Sequence, residues 1–307
     1  MKLEFIHQNM GEYPLKELCE ALEVAPSAYH ASQTRQPSAR ATEDAALKQE
    51  ILEIHERSQG RLGHRLMYGR VRDRCGRDRT LRLMRSLDIA GKQERKYRPQ
   101  GTDSAHDFGY SPNRLKENGP PSRCDEVWVS DTTYLKVRNG WMYLATVMDL
   151  YSRRIVGWSV SARNDTRLVS QALENAHQTR GKTEEGIIHH SDRGSTYASD
   201  DYQRQLGRLG MQPSMSARGN CYDNAAMESF YGRFKTSTIR DRVLADENEV
   251  RAVVFEYIEP FYNRYRKHSS LDYRSPVEFE QMISPTAPAG AVREDSEGGN
   301  KAAFTQN

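Results

Sequence analysis

The chain changes its hydrophobic period once along its length. Up to about residue 90, apolar positions recur three and four apart, as on a helix with one buried face. In "PLKELCEALEVAPSAYHA", Leu15, Leu18, Ala21 and Leu22 keep that spacing, and Pro26 or Ser27 can start a second helix. Residues 1–40 therefore read as short helices, either helix-turn-helix-like or a plain helical hairpin. Residues 42–58 form one amphipathic segment through Leu47, Ile51 and Ile54. A basic helical pair follows over 61–90, its last stripe Leu81, Met84 and Leu87, with Gly91 as a stop. From Asp125 the period becomes two. "DEVWVSDTTYLKV" puts Val127, Val129 and Asp131 on one face and Trp128, Ser130 and Thr132 on the other. Asn139-Gly140 is a hairpin turn, "WMYLATVMDLY" a second strand and "SRRIVGWSVS" a third. "DTRLVSQALENAHQTR" returns to helical spacing, with Asp165 as N-cap and Leu168, Leu173 and Ala176 inward. Next come a short buried strand, "GIIHHSD", a helix over about 199–209, and a strand near "MQPSMS". A helix over "CYDNAAMESFYGRFKTSTIR", entered at Asp223, follows, and further helix occupies 241–283.

Three antiparallel strands, then helix, strand, helix, strand, helix, make an α/β protein: a mixed sheet flanked by helices. A small all-α region precedes it. Between the two, Pro99, Gly101, Gly109, Pro112, Gly119, Pro120 and Pro121 mark a linker. The reading divides the chain into a helical basic region (1–98), a linker (99–124), a catalytic core with a C-terminal helix (125–283) and a disordered tail (284–307).

Composition adds a polyanion hint. The net charge of the 307 residues is only +3, but from Ile51 to Gln100 there are 14 Lys and Arg against six Asp and Glu, a balance of +8. Such a cluster suits nucleic acid, although a solvated helical face has the same composition. Cys19, Cys75, Cys124 and Cys221 stand far apart, without the paired spacing of a zinc site. There is no apolar run of about 18 residues and no signal-peptide core, so a soluble, cytoplasmic protein with no membrane partner is expected.

Three acids carry the candidate chemistry. Asp131 lies within a strand among valines, Asp192 ends the buried "GIIHH" run, and Glu228 sits between Met227 and the aromatic Phe230. A lone buried acid is usually a salt bridge or a cap. Three brought together repel one another, and a divalent cation removes that penalty. Oxygen-only ligands favour Mg²⁺ or Mn²⁺ over zinc, and two such ions suit in-line displacement at a phosphodiester. Lys235 follows Glu228 by seven residues, nearly two helical turns, on the same face. There it could reach a DNA backbone, or simply face solvent.

The segments "VWVSDTTYL" (127–135), "MDLYSRRIVGWSVS" (148–161), "IIHHSDRGSTYAS" (187–199), "ARGNCYDNAAMESFYGRFK" (217–235) and "YNRYRKHSSLDYRSPVEFE" (262–280) resemble the DDE transposases of bacterial insertion sequences. In particular they resemble the OrfB-type subgroup, insertion-sequence family three, with its retroviral-integrase-type catalytic core. Thirty-five residues separate Asp192 from Glu228, the spacing that family shows. "ALEVAPSAYHA" and "RTLRLMRSLDIAG" resemble its helical DNA-binding segment more loosely.

The resemblance implies an RNase H-like core with Asp131, Asp192 and Glu228 as catalytic metal ligands, for two Mg²⁺ or Mn²⁺ ions. It implies cleavage at transposon ends, then attack of the freed 3′-hydroxyl on another phosphodiester, with no covalent link to Ser130, Ser191, Tyr134 or Tyr197. His190 would support the site. Arg193 and Gly194 would turn the chain, glycine allowing close backbone approach. Asn220, Asp223 and Asn224 would position the Glu228 helix, and Asn224 would also touch DNA. Lys235, Arg193 and Arg266, with Tyr262, Asn263 and His268, are further DNA-contact candidates. Packing of a C-terminal helix on the core would explain residues 262–280 equally.

The expected partners are DNA, a second copy of the chain on DNA, and the helix-turn-helix product of an upstream frame, to which this subgroup is usually fused by frameshifting. The chain starts at its own Met1 and reads as the downstream product. Weak, salt-sensitive DNA binding is therefore expected, with nucleoid association when bound. Two other readings remain open. One is an RNase H-like structure-specific nuclease that cuts without joining. The other is a DNA-binding accessory protein without catalysis, which would have no physical need for three converging acids.

Overall fold

A computed structural model describes residues 2–34, 36–92, 110–181, 186–216, 225–240 and 242–284. The chain divides into two compact units, Met1–Ala90 and Gly91–Asn307.

The first unit is all helical: α1 (Lys2–Asn9), α2 (Leu15–Ala21), α3 (Pro26–Thr34), α4 (Ala39–Arg57), α5 (His64–Val71) and α6 (Arg77–Ser86). Ile6, Leu18, Cys19 and Tyr29 bury together and join α1 to α3. Ser38 caps α4 by accepting the Ala41 N–H. Asp44 on α4 takes Arg79 (2.8 Å) and Arg82 (2.7 Å) from α6, and these two guanidiniums hold its carboxyl below the usual range. The buried stripe of α6 is Thr80, Leu83 and Met84 rather than Leu81, Met84 and Leu87. Facing both α4 and α5 turns the helix slightly from the single-stripe expectation, and Leu81 and Leu87 end half-buried.

The second unit is a five-stranded mixed sheet in the order β3-β2-β1-β4-β5: β1 (Val127–Val137), β2 (Gly140–Asp149), β3 (Ile155–Ser161), β4 (Ile188–Ser191) and β5 (Gln212–Met215). The first three strands are antiparallel, and β4 and β5 run parallel to β1. Before β1 comes the short α7 (Arg114–Asn118). It lies within the segment read as linker, yet the Arg114 N–H donates to Ser214 Oγ (3.0 Å) and its Nε to the Pro213 carbonyl (3.3 Å). The chain before β1 thus covers β5, an edge strand in which a proline is tolerated.

Helix α8 (Thr166–Arg180), capped by Asp165 as expected, packs on one face of the sheet. That layer joins Trp128, Ala145 and Val147 to Leu168, Ala172, Leu173 and Ala176. The approach is so close that a Cβ at Gly157 would lie 2.3 Å from the Ala172 carbonyl oxygen and 2.5 Å from the Ala176 nitrogen. Short α9 (Ser195–Ala198) and α10 (Asp200–Arg208) add Tyr197, Tyr202 and Leu206 to this layer.

The other face carries α11 (Ala225–Thr238), α12 (Glu247–Glu256) and a π-helical continuation over Tyr257–Tyr265. Pro260 inside that continuation has no N–H to donate, so a regular ladder is already broken there. Phe230 and Phe234 of α11 meet Tyr262 and Tyr257 at 4.9 and 5.1 Å between ring centres. The Asn263 side chain accepts the Ile155 N–H (3.0 Å) and donates to the Ile155 carbonyl (2.9 Å), pairing with β3 as a strand would. Finally α13 (Pro276–Ile283) starts from a Ser275–Glu278 capping box. Among the described residues no helix is long and apolar enough to cross a membrane.

Candidate active site

Strand register brings two of the three acids level. β1 and β4 pair Val127 with Ile188, Trp128 with His189 and Val129 with His190, a constant offset of 61. The same offset carries Asp131 to Asp192, the first residue beyond β4. Neighbouring strands lie about 4.8 Å apart, so the two backbones stand side by side where β4 ends. Paired residues share a face. Asp131 therefore lies on the face of Val129 and His190, and one further alternation puts Asp192 there too.

The same face is covered by α11, and one tyrosine sets its position. Tyr231 Oη donates to the Asp131 carbonyl at 2.6 Å and meets Thr146 Oγ1 at 2.8 Å. Thr146 is the β2 partner of Asp131 in the ladder. Glu228 precedes Tyr231 by three residues on that helix and is exposed. Among the described residues no three His, Cys, Asp or Glu side chains gather closely enough to hold a cation. The fold thus sets Asp131 and Asp192 at one level, and puts Glu228 on the adjoining helix without drawing it into a common cluster.

Each strand acid has an oxygen tied to nearby backbone. Asp131 Oδ1 accepts the Thr132 N–H (2.7 Å), and Asp192 Oδ1 accepts the Gly194 N–H (2.9 Å). Gly194 has φ −64°, open to any residue, so the turn does not require glycine for its backbone angle.

The two histidines part as strand alternation requires. His189 points to the α8 face, where its Nε2 meets Ser130 Oγ (2.8 Å) and Tyr202 Oη (3.1 Å). Burial, with a smaller contribution from the neighbouring His190, pushes its pKa down to about 3, so it is neutral at ordinary pH. His190 shares the face of Asp192, and its Nδ1 meets Ser214 Oγ on β5 at 2.9 Å.

Lys235 lies half-buried two turns beyond Glu228. Its Nζ sits 4.3 Å from the centre of the Tyr134 ring. Burial lowers its pKa, and the negative charge of Asp131 opposes that shift, so the lysine lies within the field of the site. Arg193 Nε donates to the Ser216 carbonyl (2.8 Å), with its guanidinium 4.6 Å from the Tyr110 ring, and ties the ends of β4 and β5 to the chain before α7. Arg266 is 7% exposed. It contacts His268 at 2.8 Å and lies over the Tyr262 ring at 5.6 Å. Tyr262 and Asn263 are buried beside it, in the packing of the C-terminal segment on the sheet. Asn220, Asp223 and Asn224 lie outside the described residues.

Sequence reasoning passed over Tyr231 and Thr146. A threonine inside the apolar run "YLATVMD" and a tyrosine one turn after Glu228 were the available signals.

Comparison with known proteins follows the same division. Residues 121–221 and 209–276 match the integrase core domain family, and residues 42–97 match an HTH-like domain. The uncharacterized 31 kDa protein of insertion element IS600 from Shigella sonnei is 38% identical over 273 residues, 88% of this chain and 100% of its own. Transposase InsF for insertion sequence IS3A from Escherichia coli (strain K12) is 36% identical over 285 residues, 91% of this chain and 98% of its own. Among solved structures, the HTLV-2 integrase catalytic core domain in complex with magnesium superposes with a TM-score of 0.40 at 14% identity, over 51% of this chain and 96% of that one.

Proposed function

The chain belongs to the insertion-sequence transposases of the IS3 type, polynucleotidyl transferases with an integrase core domain, and on that premise we propose that it cuts and joins DNA strands at the Asp131/Asp192 level of its sheet, with Glu228 as the third acid. The observation that supports this reading is the β1–β4 register, Val129 opposite His190, whose offset continues to Asp131 and Asp192 where β4 ends. Carboxylate oxygens fit a hard cation such as Mg²⁺ or Mn²⁺. Asp131, Asp192 and Glu228 would hold it. When bound, it would neutralise the adjoining carboxylates and the charge that develops on the phosphodiester.

The chain's own residues supply position and field. The Thr132 and Gly194 amides fix one oxygen of each strand acid. Neutral His189 joins β1 to β4 through Ser130 without adding charge. Tyr231 ties α11, the helix that carries Glu228, to the Asp131 carbonyl. Lys235 and Arg193 offer cations to the DNA backbone on either side. In the first transfer, water attacks phosphorus, the bond to the 3′ oxygen breaks, and that oxygen leaves as a hydroxyl. In the second, this hydroxyl attacks a target phosphorus and displaces the target's own 3′ oxygen, so one phosphodiester forms as another breaks. No enzyme nucleophile is needed. Consistent with that, Tyr197 is buried against Thr132, and burial raises its pKa well above the ordinary value.

A branched DNA that imitates the joined product tests the reading, with wild type and Asp192→Asn compared in Mn²⁺. Resealed duplex from wild type alone is the expected result. Cleavage without resealing would indicate a nuclease. No reaction from either protein, with DNA binding intact, would indicate an accessory DNA-binding protein and overturn the proposal.

A further inference from the structure

Beyond the carboxylates, β1 runs on past the end of β4 and presents an aromatic, cationic surface whose rings the chemistry above does not use. Tyr134 is 40% exposed and Trp141 49% exposed, large values for aromatic residues on a central hairpin. Their rings meet edge to face, 5.2 Å between centres. The Lys235 ammonium lies 4.3 Å from the Tyr134 ring centre. Lys136, the ladder partner of Trp141, and Arg138 are exposed along the same hairpin.

Packing does not explain this arrangement. An aromatic pair normally stabilises by leaving water, and here roughly half of each ring stays in it. Interleaved rings and cations, as Tyr134, Lys136, Arg138, Trp141 and Lys235 supply them, are instead what a nucleic-acid strand with unstacked bases requires. The rings take a base face, and the cations follow the phosphates. The place is close to the carboxylates although alternation turns it to the other face. Tyr134 stands three residues from Asp131, about 10 Å along the strand, beyond the stretch of β1 that pairs with β4. Lys235 links the two, close enough to Tyr134 to stack and to Asp131 to feel its charge.

We infer that the Tyr134–Trp141 pair, edged by Lys235, is a stacking platform for an unpaired DNA base next to the phosphate undergoing transfer. This rests on the proposed DNA strand transfer and adds to it a reason for local melting of the duplex. A base held out of the helix brings the flanking phosphate down to the carboxylates, and sites that melt easily lose less stacking in doing so.

The test compares full-length protein bound to two DNAs: a duplex with a short unpaired segment in one strand, and the same duplex fully paired. Wild type, Trp141→Ser and Trp141→Phe are measured, with thermal melts to confirm equal folding. Wild type should prefer the partly unpaired DNA. Trp141→Ser should lose about tenfold on that DNA, within what one base stacked on a ring supplies. Its affinity for paired duplex should stay unchanged, and Trp141→Phe should keep most of the preference. Equal losses on both DNAs, or no loss on either, would overturn the platform while leaving the strand-transfer reading intact. Wild type that bound neither DNA would remove the nucleic-acid reading and the platform with it.

Discussion

Removing one oxygen from Tyr231 separates what holds the fold from what holds the site. The hydroxyl meets Thr146 Oγ1 at 2.8 Å and donates to the Asp131 carbonyl at 2.6 Å, and Thr146 is fully buried. In Tyr231→Phe the ring stays among Phe230 and its neighbours, while Thr146 Oγ1 and the Asp131 carbonyl lose this partner. Leaving a buried polar group unpaired costs about 1–3 kcal/mol, so a loss of about 2 kcal/mol is expected in urea unfolding. Adding Thr146→Val removes the orphaned hydroxyl and should restore about half of that. Strand joining should behave differently. The hydroxyl ties α11 to the Asp131 rung, so its loss loosens Glu228 and Lys235 together, and a displacement of about 1 Å costs on the order of 100-fold in rate. The double variant should therefore recover stability without recovering rate. Both are read on the same preparation, by urea midpoint and by resealing of branched DNA. If Tyr231→Phe joined DNA at the wild-type rate, or if Thr146→Val rescued rate along with stability, Tyr231 would be a packing residue and no more.

Three further outcomes follow from the same geometry. Gly157→Ala drives a Cβ into α8 backbone, at 2.3 Å from the Ala172 oxygen and 2.5 Å from the Ala176 nitrogen, so strand and helix must separate. Overpacking of this kind costs about 1–3 kcal/mol or more, and an unchanged urea midpoint would show that the layer yields freely. Acid should destabilise the core through His189 and His268. Burial depresses His189 to about 3 and His268 to about 2, so on acidification the unfolded chain takes up two protons that the folded one refuses. Asp149, raised to about 6 by burial, binds one proton in the folded state and offsets one of them. The balance is one proton, so stability should fall by about 1.4 kcal/mol per pH unit from roughly pH 6 to 4.5, and a flat or rising profile would contradict it. Duplex binding should weaken steeply with salt, because the exposed Arg72, Arg77, Arg82 and Arg85 of the helical unit meet phosphates rather than bases. Filter binding from about 50 to 200 mM salt measures it, and nanomolar, sequence-specific binding at physiological salt would refute it.

Periodicity made the sheet legible because its strands are long or bounded by strong turns. The eleven-residue β1 alternates, Asn139-Gly140 turns it, and Asp165 caps α8 as expected. The level placement of Asp131 and Asp192 was not legible, since it depends on a parallel pairing between strands about sixty residues apart. Nor was α7, five residues whose structure comes from covering the β5 edge rather than from any period of their own. The 262–280 segment stayed open between two readings for a related reason. Its polar and aromatic residues suit a DNA surface in isolation, and only the three-dimensional contacts show Asn263 pairing with β3 and Arg266 against Tyr262 and His268, the packing alternative for these residues.

The acid that sequence reasoning did not choose shows what distinguishes a site from a scaffold. Asp149 ends a strand in an apolar run much as Asp192 does, and it is more deeply buried than Asp131, Asp192 or Glu228. Yet it stands at the other end of the sheet, beside the start of β1, where its surroundings compensate it. The amides of Asp125 and Ser152 donate to it at 2.6 and 2.8 Å, and Arg180 lies 3.7 Å away. Arg180 also pairs with Asp125 (2.9 Å) and Glu280 (2.5 Å), and Glu280 binds Arg154 at 2.6 Å. This buried network fastens α13 to α8 and to the sheet. Breaking it at Glu280 would take a counter-charge from both Arg154 and Arg180, leaving Arg180 only Asp125 and Asp149, a loss of several kcal/mol. Asp131, by contrast, keeps partial exposure, and its charge reaches Lys235 on a separate helix. Burial alone would therefore single out Asp149. The proposed site rests instead on register, which carries Asp131 to Asp192, and on the helix that brings Lys235 into the field of Asp131.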